Sequence, residues 1–155
     1  MKIYIMRHGE AQQFAASDAQ RSLTKRGCDE SAAVASASVS QQGVSGFDLV
    51  LVSPYLRAQQ TWQVLTEHFS AAKVQTCDEI TPYGQSDRVF DYLAALIDIE
   101  QLQSVLLVSH LPLVGYLVAE LVDEMIPPMF PTSGMMCIDY DPLTQTGQVL
   151  WNIYP

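Results

Sequence analysis

Three short apolar runs punctuate the chain, at Lys2–Met6, Asp48–Val52 and Ser104–Val108. Each is too short for a helix and carries Val, Ile or Leu at consecutive rather than alternating positions, the pattern of strands buried on both faces of a parallel sheet. Helical segments separate them. Thr24 is placed to cap a helix that runs to about Gln42, where Gly43 and Gly46 stop it. This segment is rich in Ala and Ser, so it should pack closely and draw little stability from large side chains. Ser53 caps a second helix with Pro54 in its first turn, where the missing N–H costs nothing, and this helix should end near Phe69.

A short strand follows at Val74–Cys77, then a loop through Pro82 and Gly84. Next comes a helix from Ser86 to about Ile97 that buries Val89, Phe90, Leu93, Leu96 and Ile97. Pro112 opens another helix reaching Val122. The segment Glu124–Gly134, with prolines at 127, 128 and 131, should be irregular. Met135–Tyr140 and Gln148–Ile153 then alternate as an antiparallel pair around a turn at Thr144–Gly147. No repeat, linker or low-complexity tract interrupts this order. Strands alternating with helices predict an α/β fold of three layers, α/β/α, with a mostly parallel central sheet. The whole chain, 1–155, is expected to be one domain. Ligands of such sheets bind beyond the carboxyl ends of the strands.

Composition agrees and narrows the chemistry. At 155 residues and 48% hydrophobic, the chain has material for one good core. Its formal charge of −9 repels nucleic acid and anionic membrane, so a phosphate site must be a local concentration of cations. Cys28, Cys77 and Cys137 are odd in number and far apart, as expected of reduced structural thiols and not of a disulfide framework or a zinc site. Met1-Lys2 leads into only four apolar residues before Arg7, which is no secretory leader. The late apolar stretch Leu111–Val122 is broken by Pro112, Gly115 and Glu120 and is short of the ~20 residues needed to span a bilayer. A soluble, cytoplasmic protein is expected.

Two of the three histidines, His8 and His110, directly follow buried strands, where an open α/β sheet builds its site. Arg7 precedes His8, and Arg57 falls in the first turn of the helix after the second strand. Two guanidiniums and two imidazoles thus converge on one point. Phosphoryl transfer needs a nucleophile in line with the leaving group and cations around the equatorial oxygens, where charge spreads in the transition state. Arginine suits those oxygens because its planar fork donates two parallel hydrogen bonds and stays charged. Gly9 lets backbone approach a phosphate with no side chain in the way, helix N-termini after Ser53 and His110 would add N–H donors, and Gly9 and Ser53 are accordingly expected among the substrate-binding residues. No Asp, His or Glu cluster at ligand spacing calls for a metal, and no cofactor is expected. His68 lacks a catalytic companion and is read as structural; Cys28 and Cys77 are read as core fillers.

Arg7-His8-Gly9-Glu10, Leu23-Thr24-x-x-Gly27, Ser53-Pro54-x-x-Arg57-Ala58-x-x-Thr61 and Ser109-His110, in that order, resemble the signature of the histidine phosphatase superfamily, the phosphoglycerate mutase-like fold. Within it the chain is similar to the bacterial SixA-type protein phosphohistidine phosphatases. Ala16-Ser17-Asp18, Gly27-Cys28-Asp29-Glu30-Ser31, Leu51-Val52-Ser53-Pro54, the run Ser109–Leu121 and Pro127-Pro128-Met129-Phe130 carry that likeness. The resemblance implies that His8 is the nucleophile, that Arg7 and Arg57 bind the phosphoryl oxygens, and that a protonated His110 completes the cage. It also puts Asp18 and Arg21 in the pocket, where a surface salt bridge is the competing explanation.

Glu79 is the nearest candidate proton donor. A phosphohistidine substrate relaxes the need for one, because an imidazole protonated at its other nitrogen leaves as a neutral ring. Only one helix is predicted between Arg57 and His110, which leaves little for a lid, so an open pocket is expected. The substrate this implies is a phosphohistidine-bearing protein, such as a histidine-containing phosphotransfer domain or a phosphocarrier protein in a phosphorelay, with a phosphate anion held in the pocket. Two alternatives are a small-molecule phosphomonoesterase of the same superfamily and a non-catalytic phosphoprotein-binding module.

Overall fold

The computed structural model describes all 155 residues, Met1–Pro155. In chain order the elements are β1 (Lys2–Arg7), α1 (Lys25–Gln42), β2 (Gly46–Phe47), β3 (Leu49–Val52), α2 (Leu56–Leu65), β4 (Ser70–Ala71), β5 (Val74–Thr76), α3 (Ser86–Glu100), β6 (Ser104–Ser109), α4 (Leu113–Leu121), β7 (Met135–Asp141) and β8 (Thr146–Ile153). Six strands form the main sheet in the order β5-β3-β6-β1-β7-β8, and β2 pairs with β4 in a second, two-stranded sheet. The pairs β5/β3, β3/β6 and β6/β1 are parallel; β7 runs antiparallel to both β1 and β8.

The continuous apolar runs are explained by burial on both faces. Alternate residues of β1, Ile3 and Ile5 against Tyr4 and Met6, enter two different cores. One core joins the sheet to α3 and α4 through Val89, Leu93, Ile97, Leu113, Leu117 and Leu121. The other joins it to α1 and α2 through Val34, Ala35, Ala58, Trp62 and Leu65. This is the expected α/β/α layering.

The start of α1 follows its sequence signals. Thr24 Oγ1 accepts from Gly27 N at 3.0 Å, and Gly43 ends the helix in the left-handed region at φ 67°. Its buried face is Gly27, Ser31, Val34, Ala35 and Ser38, so the small residues do permit close packing. Around α2 the expectation needs correcting. Pro54 and Tyr55 form a turn in which Tyr55 N donates to Ser53 Oγ at 3.2 Å, and the helix begins only at Leu56. It ends at Leu65, short of Phe69, which instead packs edge-on against Phe47 at 5.2 Å between ring centroids. The final hairpin turns earlier than expected, with Gln145 at φ 57° and Gly147 already in β8. A Cβ on Gly147 would lie 2.7 Å from Ile138 Cγ2 and 2.9 Å from Asp139 O, so that glycine answers a close approach at the irregularity between Cys137 and Ile138. No helix is long and apolar enough to cross a membrane.

Candidate active site

Sheet register assembles the site. Arg7 pairs with Ser109 across β1 and β6, His8 N donates to Ser109 O at 2.9 Å, and Ser53 N donates to Val108 O at 3.1 Å. Residues 7–8, 53 and 109–110 therefore leave three adjacent parallel strands at one edge, and α2 brings Arg57 to the same place. A cavity of about 810 Å³ opens there, lined by Arg7, His8, Glu10, Arg21, Arg57 and His110 among others. At its base His8 is 7%, Arg57 4% and His110 1% exposed.

The protonation of His8 follows from its two partners. The Gly9 carbonyl, 2.7 Å from Nδ1, only accepts, so Nδ1 carries the hydrogen. Arg57 Nε, 3.3 Å from Nε2, only donates, so Nε2 keeps its lone pair. Burial lowers the ring's pKa, to about 4, against the opposing pull of the Gly9 carbonyl, and the positive charges of Arg57, Arg7 and Arg21 each add a smaller downward push. At neutral pH His8 is an uncharged imidazole with its Nε2 lone pair beside a guanidinium. The acid limb of kcat/KM should accordingly lie near pH 4 instead of at the ordinary histidine value of 6.5. A limb at 6.5 would contradict this electrostatic picture.

His110 lies with its ring 5.0 Å from that of His8 and shares a 2.7 Å hydrogen bond between its Nε2 and Ser53 Oγ. The expectation that it is protonated runs against its protein surroundings: burial first, then His8 and Arg57, lower its pKa to about 2. A phosphoryl dianion beside it reverses the sign of the local field. Its ring resonances should therefore show no titration between pH 5 and 8 in the free protein and should titrate there once an oxyanion is bound. Unchanged behaviour on adding vanadate would refute the linkage.

Two nitrogens, Arg7 Nε and His110 Nδ1, are buried without a protein partner. Such groups are rare in folded proteins, and an anion with several acceptor oxygens supplies what they lack. Arg7 is anchored by Nη1 donating to Phe130 O at 2.9 Å. Burial, with Arg57 nearby, pulls its pKa down from the ordinary arginine value.

Asp18 and Arg21 are joined to this machinery. Arg57 Nη1 donates to Asp18 O at 2.7 Å and Nη2 to Asp18 Oδ2 at 3.3 Å; Arg21 Nη1 donates to Asp18 Oδ1 at 3.0 Å and its Nε to Gln12 O at 2.7 Å. The hydrogen bond from Arg21, followed by Arg57, holds the Asp18 carboxyl below its ordinary pKa. Asp18 thus fixes the arginine fork, and Arg21 lines the cavity. Because Asp18 is half exposed, Asp18→Asn should lower kcat/KM only about two- to fivefold.

Three expected site residues have different work. Ser53 is fully buried against His110, which makes it a support of that ring. Ser53→Ala should reduce kcat about tenfold by freeing it. At Gly9 the space a side chain would fill belongs to the protein: a Cβ would meet Gly27 O at 2.7 Å and Ser31 Oγ at 2.8 Å, so the glycine admits α1, not a phosphate. Glu79 is exposed on the turn Asp78–Ile80 and does not line the cavity. Its neighbour Ile80 is buried, and the Ile80 carbonyl accepts from Ser109 Oγ at 2.7 Å, which turns Glu79 outward. His68 lies in the turn after α2, away from the cavity.

Other contributors carry fainter sequence signals. Thr61, one turn after Arg57, accepts from Gly9 N at 3.0 Å and donates to Arg57 O at 2.7 Å, tying the His8 loop to α2. Tyr55 packs edge-on to His110 at 5.1 Å and lies 5.0 Å from the Arg57 guanidinium carbon. Glu10 lines the cavity and accepts from Thr24 Oγ1 at 3.0 Å. No group of three or more His, Cys, Asp and Glu side chains is arranged to hold a metal ion.

Comparison with known proteins agrees with this construction. The chain is 43% identical over 156 residues to the phosphohistidine phosphatase SixA of Escherichia coli, a match covering 100% of the chain and 94% of that protein. It is 40% identical over 158 residues to the SixA homolog of Haemophilus influenzae, covering 98% and 89% respectively. The solved structure of the protein histidine phosphatase SixA complexed with tungstate superposes with a TM-score of 0.92 at 44% identity, covering 100% of this chain and 97% of that one. Residues 3–81 match the model of the histidine phosphatase superfamily (branch 1). A neutral histidine and Arg7 at one strand end with Arg57 brought to them by α2, the family-model match and the full-length identity all agree: the chain belongs to the histidine phosphatase superfamily.

Proposed function

We propose that this protein hydrolyses phosphohistidine on other proteins, with His8 as nucleophile. The observation that carries the reading is the protonation of His8, with Nδ1–H on the Gly9 carbonyl and an unprotonated Nε2 under Arg57. In the first step Nε2 forms a bond to phosphorus as the substrate's N–P bond breaks. The departing imidazole, protonated at its other nitrogen, leaves neutral. Arg7, Arg57 and His110 stabilise the three equatorial oxygens. Water then attacks the His8 phosphoryl group, the N–P bond breaks, and both protons of the water stay with the product, dihydrogen phosphate. His8 returns as the neutral Nδ1–H imidazole.

Exchange of one N–P bond for another is nearly balanced and needs no acid at the leaving group. That fits a cavity whose lining carboxylate, Glu10, is engaged by Thr24, and beside which Asp18 is held by Arg21 and Arg57. The names of the relatives support the same substrate class. We assign the phosphoryl donor to a histidine-containing phosphotransfer domain or phosphocarrier protein of a phosphorelay. The reaction is assigned to the cytoplasm, where the free Cys28, Cys77 and Cys137 stay reduced. The test is loss of label from a phosphorylated histidine phosphotransfer domain, measured against sugar and nucleotide phosphates. Turnover of the esters at the higher kcat/KM would make the protein a phosphomonoesterase, and anion binding without turnover of either would make it a binding module.

A further inference from the structure

The nucleophile is recessed while the edge of its cavity is apolar, and the two facts together constrain what can reach it. His8 is only 7% exposed, so a phosphohistidine delivered by a protein must project into the cavity while the surface that carries it rests on the rim. On one side of that rim stands Phe14, which lines the cavity and is 88% exposed. Its loop is held at both ends, by Gln12 N donating to Ser22 O at 2.8 Å and Arg21 to the Gln12 carbonyl, and by the Asp18–Arg57 pair.

On another side are Leu111, which also lines the cavity, and exposed Pro112. Met129, one residue before the Phe130 carbonyl that anchors Arg7 and three before cavity-lining Thr132, is 81% exposed between two fixed carbonyls. The Pro128 carbonyl packs where a Cβ of Gly115 would be, at 2.6 Å, and the Phe130 carbonyl receives Arg7. Large apolar side chains fixed in water around a cavity mouth are characteristic of interaction sites. Gln12, Gln13 and Thr132, which also line the cavity, are uncharged, while the charged lining residues Glu10 and Arg21 are partly exposed.

We propose that Phe14 and Met129 are docking residues for the protein that carries the phosphohistidine, and that this partner presents it on a helix with apolar side chains one turn away on either side. A helical histidine projects far enough to enter a recess, and residues three or four positions from it lie on the same face, where they meet the apolar rim. The inference rests on the function proposed above and names the surface by which that substrate is selected.

The experiment compares wild type with Phe14→Ser and Met129→Ser on three probes: a phosphorylated histidine phosphotransfer domain, a short phosphohistidine peptide, and free phosphohistidine. Both substitutions are at exposed positions, so the fold should be retained. The expected result is a roughly tenfold rise in KM for the domain in each variant, with kcat and the hydrolysis of free phosphohistidine within twofold of wild type. Wild type should also prefer the domain to the peptide. Equal losses on the domain and on free phosphohistidine, an unchanged KM for the domain, or a peptide turned over as well as the domain would each overturn the docking role. Wild type that hydrolyses phosphate esters but not the phosphorylated domain would instead overturn the proposed function, and the docking role with it.

Discussion

His8→Ala should abolish turnover, lowering kcat by on the order of 10⁴-fold or more, and should leave no acid-labile phosphate on the protein after mixing with substrate. The size of the effect follows from the covalent route. Without Nε2, direct attack by water on the substrate must replace one N–P exchange and the hydrolysis of the His8 phosphoryl group, both at a position organised by Arg57 and the Gly9 carbonyl. The substitution also leaves Arg57 Nε and the Gly9 carbonyl without their partner, so the variant must be shown to bind an oxyanion before its inactivity is interpreted. Arg7, Arg57 and His110 remain in place in it, and tungstate, which a structural relative binds, is a suitable probe. Bound tungstate with no turnover and no phosphoenzyme is the expected combination. Turnover above a hundredth of wild type would remove His8 from the role.

That site was legible in the sequence because its chemistry is tied to strand ends. The apolar runs ending at Met6, Val52 and Val108 fix where the sheet stops, and Arg7, His8, Ser53 and His110 follow those stops within two residues. The rest depended on contacts that no local pattern records. Phe130 holds Arg7 through its carbonyl, and a backbone atom leaves no trace in residue type. Gly9 was readable as a glycine in need of space, but only the position of α1 shows that Gly27 and Ser31 take that space. Ser53 and Pro54 look like the start of a helix until the seryl oxygen is drawn to His110 and to Tyr55 N. The strands β2 and β4, two residues each, are too short for any periodicity. Glu79 is the nearest candidate acid by sequence, whereas its orientation is decided by Ile80 entering the core.

Arg57→Ala should reduce kcat roughly 10²- to 10³-fold, the loss seen when one preorganised donor to a transition-state anion is removed. Arg57 joins three parts of the site: Nε on His8, Nη1 and Nη2 on Asp18, and its guanidinium face near Tyr55. Arg57→Lys keeps the charge but offers one compact ammonium, which cannot hold His8 and both Asp18 acceptors together, so it should recover less than tenfold of the loss. A pH profile separates an electrostatic role from a merely structural one. Arg57 is one of the charges that depress the His8 pKa to about 4, so removing it raises that pKa toward the ordinary 6.5. The acid limb of the Ala variant should move to higher pH, while in the Lys variant it stays closer to wild type. A loss of activity with no movement of the limb would mean that Arg57 shapes the cavity without acting on the nucleophile. Movement in the expected order would tie the cation that stabilises the phosphoryl oxygens to one of the charges that, with burial, keep His8 neutral, so that a single side chain contributes to both halves of the attack.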